Sequence, residues 1–305
     1  MTNPVAAAPA NTLVTGSSGL IGRQFLATYG GVALHDSFGP VDIRNADRVK
    51  AATAAIRPES VLHLAAQSSI ANSFQDPAAT CAVNFLGTLN LLEALAAIGF
   101  RGTLVYLSSA DVYGRVDPAQ MPIDESQPLR PLSPYAVSKV AAEALCYQWS
   151  QTQDFSIVIA RPFNQIGPGQ ARRFAVANFA AQVAQIAAGE RPPVVVTGDL
   201  DVTRDFTDVR DTVRACRLLL ERGRNGDVYN LCSGRETSLR TILDNLLELA
   251  GVEATVQLDP DRLRPAEQRR TVGDPSKIRD RIGWKPEIPL PATLHDIFAE
   301  AKETR

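Results

Sequence analysis

The chain has 305 residues, 45% hydrophobic and 21% charged, with a formal net charge of −2. Such a length supports one large core or two unequal ones, and so balanced a charge leaves no electrostatic footprint for nucleic acid or an anionic membrane. Four separated cysteines (Cys81, Cys146, Cys216, Cys232) without a CxxC and three scattered histidines (His35, His63, His295) offer no metal-ligand cluster, and point to reduced thiols in the cytoplasm.

In chain order, the leading MTNPVAAAPA carries no Lys or Arg and no long apolar run, so it reads as a short disordered lead rather than a signal peptide. No stretch reads as long enough to span a bilayer. Thr12–Thr15 is a short apolar strand, followed at once by TGSSGLIG and an apolar helix to Tyr29. Gly16, Gly19 and Gly22 have the spacing GxxGxxG. The first glycine permits a tight turn, the second lets backbone N–H groups approach phosphates, and the third lets helix and strand pack closely. A strand before and a helix after favour a dinucleotide pyrophosphate site over a ligand-free turn. A second strand lies near residues 32–34. Asp36 after it is a candidate to hold the adenosine ribose, yet it comes early, and no arginine clamp for a 2′-phosphate is evident. NAD and NADP both stay open. Asp42 and Ile43, before a helix capped by Asn45, suit an adenine or a plain loop.

Residues 61–64 form a buried strand, and the small Ala65 and Ala66 leave room beside the glycine loop. Pro77–Ala97 reads as one long amphipathic helix ending at Gly99, with Asn84 either bonding backbone near the site or facing out. Thr103–Leu107 is a strand ending in Ser108 and Ser109. Ligands of parallel sheets bind at the carboxyl ends of strands, where Ser109 can meet a carbonyl oxygen or merely cap a turn. SPYAVSK then places Tyr135 four residues before Lys139, one helical turn apart on one face. A phenol titrates at about pH 10. A neighbouring ammonium stabilises the phenolate, making the pair a proton donor or acceptor for an oxygen whose carbon exchanges a hydride. The competing reading is an ordinary helix start, with Ser133 as cap and Pro134 first.

Strand 156–160 and the repeated strand–helix alternation predict an α/β fold with a Rossmann-type doubly wound parallel sheet. Beyond Phe163 the style changes: a helix over 174–188, a short strand near Val194, a helix to Leu220, strand Val228–Leu231, a helix over 237–250 and a loop-rich tail. This suggests a smaller C-terminal α/β lobe interleaved with returns to the sheet. Its arginines Arg172, Arg173, Arg204, Arg262 and Arg264 suit a diphosphate or a solvated surface.

TGSSGLIG, HLAAQSS, LSSADVYG, SPYAVSK and ARPFNQIGPG, in this order and spacing, resemble the extended short-chain dehydrogenase/reductase family that acts on nucleotide sugars. AQSSIANSF, VTRDFTDVRD and LRPAEQRR extend the likeness over essentially the whole chain. The resemblance implies that Ser109, Tyr135 and Lys139 are catalytic. It implies NADPH or NADH held by Gly16, Ser17, Ser18, Gly19, Leu20, Ile21 and Gly22, by Asp42 and Ile43, by Leu64, Ala65 and Ala66, and by Tyr135, Lys139 and Pro162. Arg161, Pro162 and Asn164 match the loop shared by nicotinamide and sugar. The substrate set would be Gln67, Ser68, Ser109, Asp111, Asn164, Arg204, Arg264 and Glu267. The implied domains are 1–162 plus 206–232 for the dinucleotide and 163–205 plus 233–305 for the nucleotide sugar.

The implied reaction is reduction of the 4-keto group of a GDP-linked 6-deoxy sugar by a cytoplasmic homodimer, paired through helices near 86–97 and 136–149. A nucleotide-sugar 4-epimerase uses the same three residues with NAD retained, and a non-catalytic dinucleotide-binding protein would usually lose the Tyr or Lys. A 4,6-dehydratase carries an Asp or Ser and then a Glu after the catalytic Ser/Thr, where this chain has Ala110 and Asp111. A base set back by ~1 Å loses on the order of a hundredfold in rate, which favours the simple reductase.

Overall fold

The computed structural model describes residues 11–262 and 268–304. Six strands form one parallel sheet: β1 (Thr12–Thr15), β2 (Val32–Ala33), β3 (Ser60–His63), β4 (Thr103–Leu107), β5 (Ser156–Pro162) and β6 (Val228–Leu231). Their order across the sheet is β6-β5-β4-β3-β1-β2. The order reverses at β1, so a crevice opens between the carboxyl ends of β1 and β3, where open α/β sheets bind ligands.

Side chains alternate across a strand, and this alternation builds two cores. Leu13, Val61, Leu104 and Ile157 share one buried cluster, while their neighbours Val14, Leu62, Val105 and Val158 share the other. Helices α2 (Ala46–Ile56), α3 (Pro77–Ala97) and α4 (Pro134–Thr152) cover the first face. Helices α1 (Leu20–Tyr29) and α5 (Val209–Arg222) cover the second, along with Trp284. A strand covered on both faces needs a continuous apolar run, which is how these strands read in the sequence.

Two features depart from the sequence reading. Helix α3, 21 residues long with an 18-residue stretch of mean hydropathy 1.3, is long and apolar enough to cross a bilayer by length and composition. It packs against α2 and α4, and it buries the polar Thr80, Asn84 and Thr88. The tail is not merely loop-rich: Leu290–Glu303 is a 14-residue helix. Leu294, Ile297, Phe298 and Ala301 give it an apolar stripe, which joins a third cluster with helices Ala175–Ala187 and Leu239–Ala250. Beside that cluster, strand Thr203–Asp208 pairs with Asn164–Ile166 and with Glu236–Ser238.

Candidate active site

The glycine turn after β1 is shaped by close backbone approach. Gly16 has φ +66°, and a Cβ there would lie 2.7 Å from the backbone of Leu64 and Ala65. A Cβ on Gly22 would collide with the Gly16 carbonyl oxygen, so helix and turn could not pack as they do. Gly19 is the N-cap of α1 and supplies no side-chain cap, which leaves first-turn N–H groups without that partner. These features fit the pyrophosphate of a dinucleotide. Ser17 and Ser18 lie in the turn, and Leu20 and Ile21 open the helix. The Thr15 hydroxyl accepts from the N–H groups of Leu64 and Ala65, both at 3.1 Å, and ties the small-residue wall of Ala65 and Ala66 to the loop. Arg23, passed over in the sequence, donates from Nη2 to the Gly169 carbonyl at 2.8 Å and from Nη1 to that of Ser18.

At the adenosine end, Asp36 is already engaged. Arg48 grips its carboxylate at 2.7 and 2.8 Å and the Phe38 N–H donates to it at 2.8 Å. The Arg48 bonds hold the Asp36 carboxyl below the usual carboxylate range. Asp42 is chelated by the Arg44 side chain, which lowers its pKa likewise, and Ile43 is buried against Gly87.

Helix α4 starts where the sequence places its cap, with the Ser133 hydroxyl accepting from Ala136 N–H at 3.1 Å. Its buried stripe includes Tyr135, Ser138, Lys139, Ala142, Glu143 and Cys146, an unusual run of polar groups for a helix face inside a protein. Ser109 ends the loop after β4. Its hydroxyl donates to Asp111 Oδ2 at 3.0 Å and accepts from the Asp111 N–H at 3.2 Å. Lys139 Nζ donates to the Leu107 carbonyl at 2.7 Å and lies 4.8 Å from the Tyr106 ring centroid.

One sequence expectation is corrected here. Burial pushes the Tyr135 phenol well above its ordinary value, the Asp111 charge adds to this, and the Ser109 hydroxyl opposes it. The Lys139 ammonium donates to the Leu107 carbonyl, and burial pulls the lysine down to about 8 against the opposing charge of Glu143. A phenol kept protonated is a proton donor, which a carbonyl reduction needs.

Of the remaining sequence candidates, Gln67 engages its amide with the Ser69 backbone and the Thr80 hydroxyl, so it shapes its own loop. Ser68 and Asn164 are exposed, and Pro162 closes β5. Arg204 donates to the carbonyls of Thr203 and Arg269. Beside it a cavity of about 1500 Å³ is lined by Arg115, Arg130, Asp199, Thr203 and Arg270 among others; Ser109, Tyr135 and Lys139 are not in its lining. Arg264 and Glu267 lie outside the described residues. Asn84 is buried, its amide bonding Ser138 Oγ at 2.9 Å and the Gln67 carbonyl at 3.1 Å. Glu143, which the sequence did not single out, forms a buried ion pair with Arg161.

A parallel sheet with a glycine turn at its switch point and Ser, Tyr and Lys gathered at the carboxyl end of a central strand is the arrangement of short-chain dehydrogenase/reductases that act on nucleotide sugars. The chain belongs to the family described as GDP-mannose 4,6 dehydratase, whose model it matches over residues 31–297. It is 43% identical over 291 residues to the GDP-6-deoxy-D-mannose reductase of Pseudomonas aeruginosa, covering 94% of this chain and 95% of that one. The structure of RMD from Pseudomonas aeruginosa complexed with NADPH superposes with a TM-score of 0.91 at 40% identity, over 97% of this chain and all of the other. The UDP-glucose 4-epimerase of Thermus thermophilus in complex with NAD gives a TM-score of 0.83 at 30% identity, over 95% and 98% of the two chains.

Proposed function

We propose that this chain reduces the 4-keto group of GDP-4-keto-6-deoxy-D-mannose to give GDP-D-rhamnose. The observation that carries the reading is the 43% identity with the Pseudomonas reductase along nearly the whole of both chains, joined to the cluster of Ser109 with the buried Tyr135 and Lys139. NADPH or NADH, once bound, supplies the hydride for carbon 4. Tyr135 gives its proton to the oxygen left behind, and Ser109 hydrogen-bonds the same oxygen. Lys139 supplies positive charge beside the phenol and is the residue placed to hold a ribose. The turn from Gly16 to Gly22 takes the pyrophosphate, Asp42 and Ile43 the adenine, and Leu64, Ala65, Ala66 and Pro162 wall the cofactor. Gln67, Ser68, Asp111, Asn164, Arg204, Arg264 and Glu267 make up the nucleotide-sugar side.

Residues 1–162 with 206–232 then serve as the cofactor domain and 163–205 with 233–305 as the sugar lobe. Leu86 on α3 and Val137 and Tyr147 on α4 expose apolar surface on helices that would pair in a homodimer. All four cysteines are free, which suits a reducing cytoplasm.

The likeness to the Thermus epimerase favours a second reading, a nucleotide-sugar 4-epimerase that keeps its NAD. The two separate in assays of the purified protein. Stoichiometric oxidation of added NADPH or NADH with the 4-keto sugar supports the reductase. Interconversion of a 4-hydroxy nucleotide sugar and its carbon-4 epimer, with tightly held NAD and no added reductant, supports the epimerase.

A further inference from the structure

Arg161, next to last in β5, lies inside the molecule with its Nε 3.0 Å from Glu143 Oε1 and its Nη2 2.6 Å from Oε2. The same guanidinium lies 4.9 Å from the Tyr113 ring centroid. Glu143 is four residues past Lys139 on α4, one turn along the same face. A buried ion pair is poor evidence of stability, since desolvation offsets most of the attraction. A lysine and a glutamate four apart on a helix ordinarily attract each other. Here each turns elsewhere, Glu143 to the arginine fork and Lys139 to the Leu107 carbonyl.

We infer that Arg161 is a positioning residue: by clamping Glu143 it keeps that carboxylate from pairing directly with Lys139 and so weakens its hold on the ammonium beside Tyr135. The inference rests on the proposed roles of Tyr135 and Lys139. The other titratable groups around the pair are Asp111 and Tyr113 on the turn after β4, Tyr106 on β4, His63 on β3 and Cys146 on α4. None of them supplies a competing positive charge, because burial holds His63 neutral down to about pH 3.

Counting Lys139, Glu143 and Arg161, the cluster carries one net positive charge in the wild type. It carries two in Glu143→Gln, none in Arg161→Gln and one again in the double variant. The alkaline limb of the kcat–pH profile of keto-sugar reduction reads the loss of the Lys139 proton, which burial brings to about 8 and well below that of the phenol. Its expected order is Arg161→Gln highest, wild type and double variant together, and Glu143→Gln lowest, with steps on the order of one pH unit. Should Arg161→Gln not fold, Arg161→Lys and Glu143→Gln carry the test, the first keeping the wild-type limb and the second moving it down. Coincident limbs, or a double variant displaced as far as either single one, would overturn the inference. Loss of the reading beneath it would look different: Tyr135→Phe would then turn over normally.

Discussion

Tyr135 and Lys139 are legible in the sequence because their relation is local, a single helical turn behind a Ser-Pro start. What that start cannot reveal is the depth of the site, and depth decides which proton form the phenol keeps. With the phenol raised by burial, Tyr135→Phe should lower turnover by ~10²–10⁴ while a fluorescence titration shows NADPH binding close to wild type. Normal turnover in that variant would remove Tyr135 from the mechanism. The Arg161–Glu143 pair is not legible at this scale, since it depends on how β5 packs beneath α4.

His63 makes a second residue-level prediction. Its ring bonds the hydroxyls of Thr15 at 2.6 Å and Thr88 at 3.0 Å, and burial, helped by the Lys139 charge, lowers its pKa from 6.5 to about 3. As pH falls through that window the unfolded chain takes up a proton that the folded chain refuses. Stability from this group is therefore full above about 6.5 and is lost at up to ~1.4 kcal/mol per pH unit below it. Denaturant titrations at several pH values should show a shallower acid dependence for His63→Gln than for the wild type. Parallel dependences would contradict the assignment.

Among the elements, the glycine turn is the most demanding. Gly22→Ala would set a methyl against the Gly16 carbonyl, and Gly16→Ala would force a left-handed backbone and a clash with the end of β3. Both should abolish measurable NADPH binding by fluorescence titration, and unchanged affinity in either would show that the turn does not hold the dinucleotide. Ser133→Ala, which removes the α4 cap, should cost about 1 kcal/mol in thermal or chemical unfolding. The buried strands and α3 were readable because runs of apolar residues end in Gly or small polar residues. Ile70–Gln75 was not, being short and polar, and Leu290–Glu303 was hidden by the prolines Pro286, Pro289 and Pro291 at its entrance. Its apolar spacing becomes visible only against the helices it covers.

At the scale of the whole molecule, sequence pattern gives the doubly wound sheet but not what its outer helices meet. Leu86, Val137 and Tyr147 are each about half exposed on α3 and α4. In sedimentation the 32.8 kDa chain should run at twice that mass. Val137→Glu should shift it toward the monomer by placing a charge in an apolar contact. A wild-type monomer would refute this pairing. On the proposed reading, the hydride of the nicotinamide arrives at carbon 4 of the sugar. The direct measurement is incubation of the enzyme with NADPH carrying deuterium at the transferable position and GDP-4-keto-6-deoxy-D-mannose, followed by NMR of the product. The expected result is one deuterium at carbon 4 of GDP-D-rhamnose for each NADPH oxidised. Unlabelled product, or sugar recovered unreduced, would contradict it.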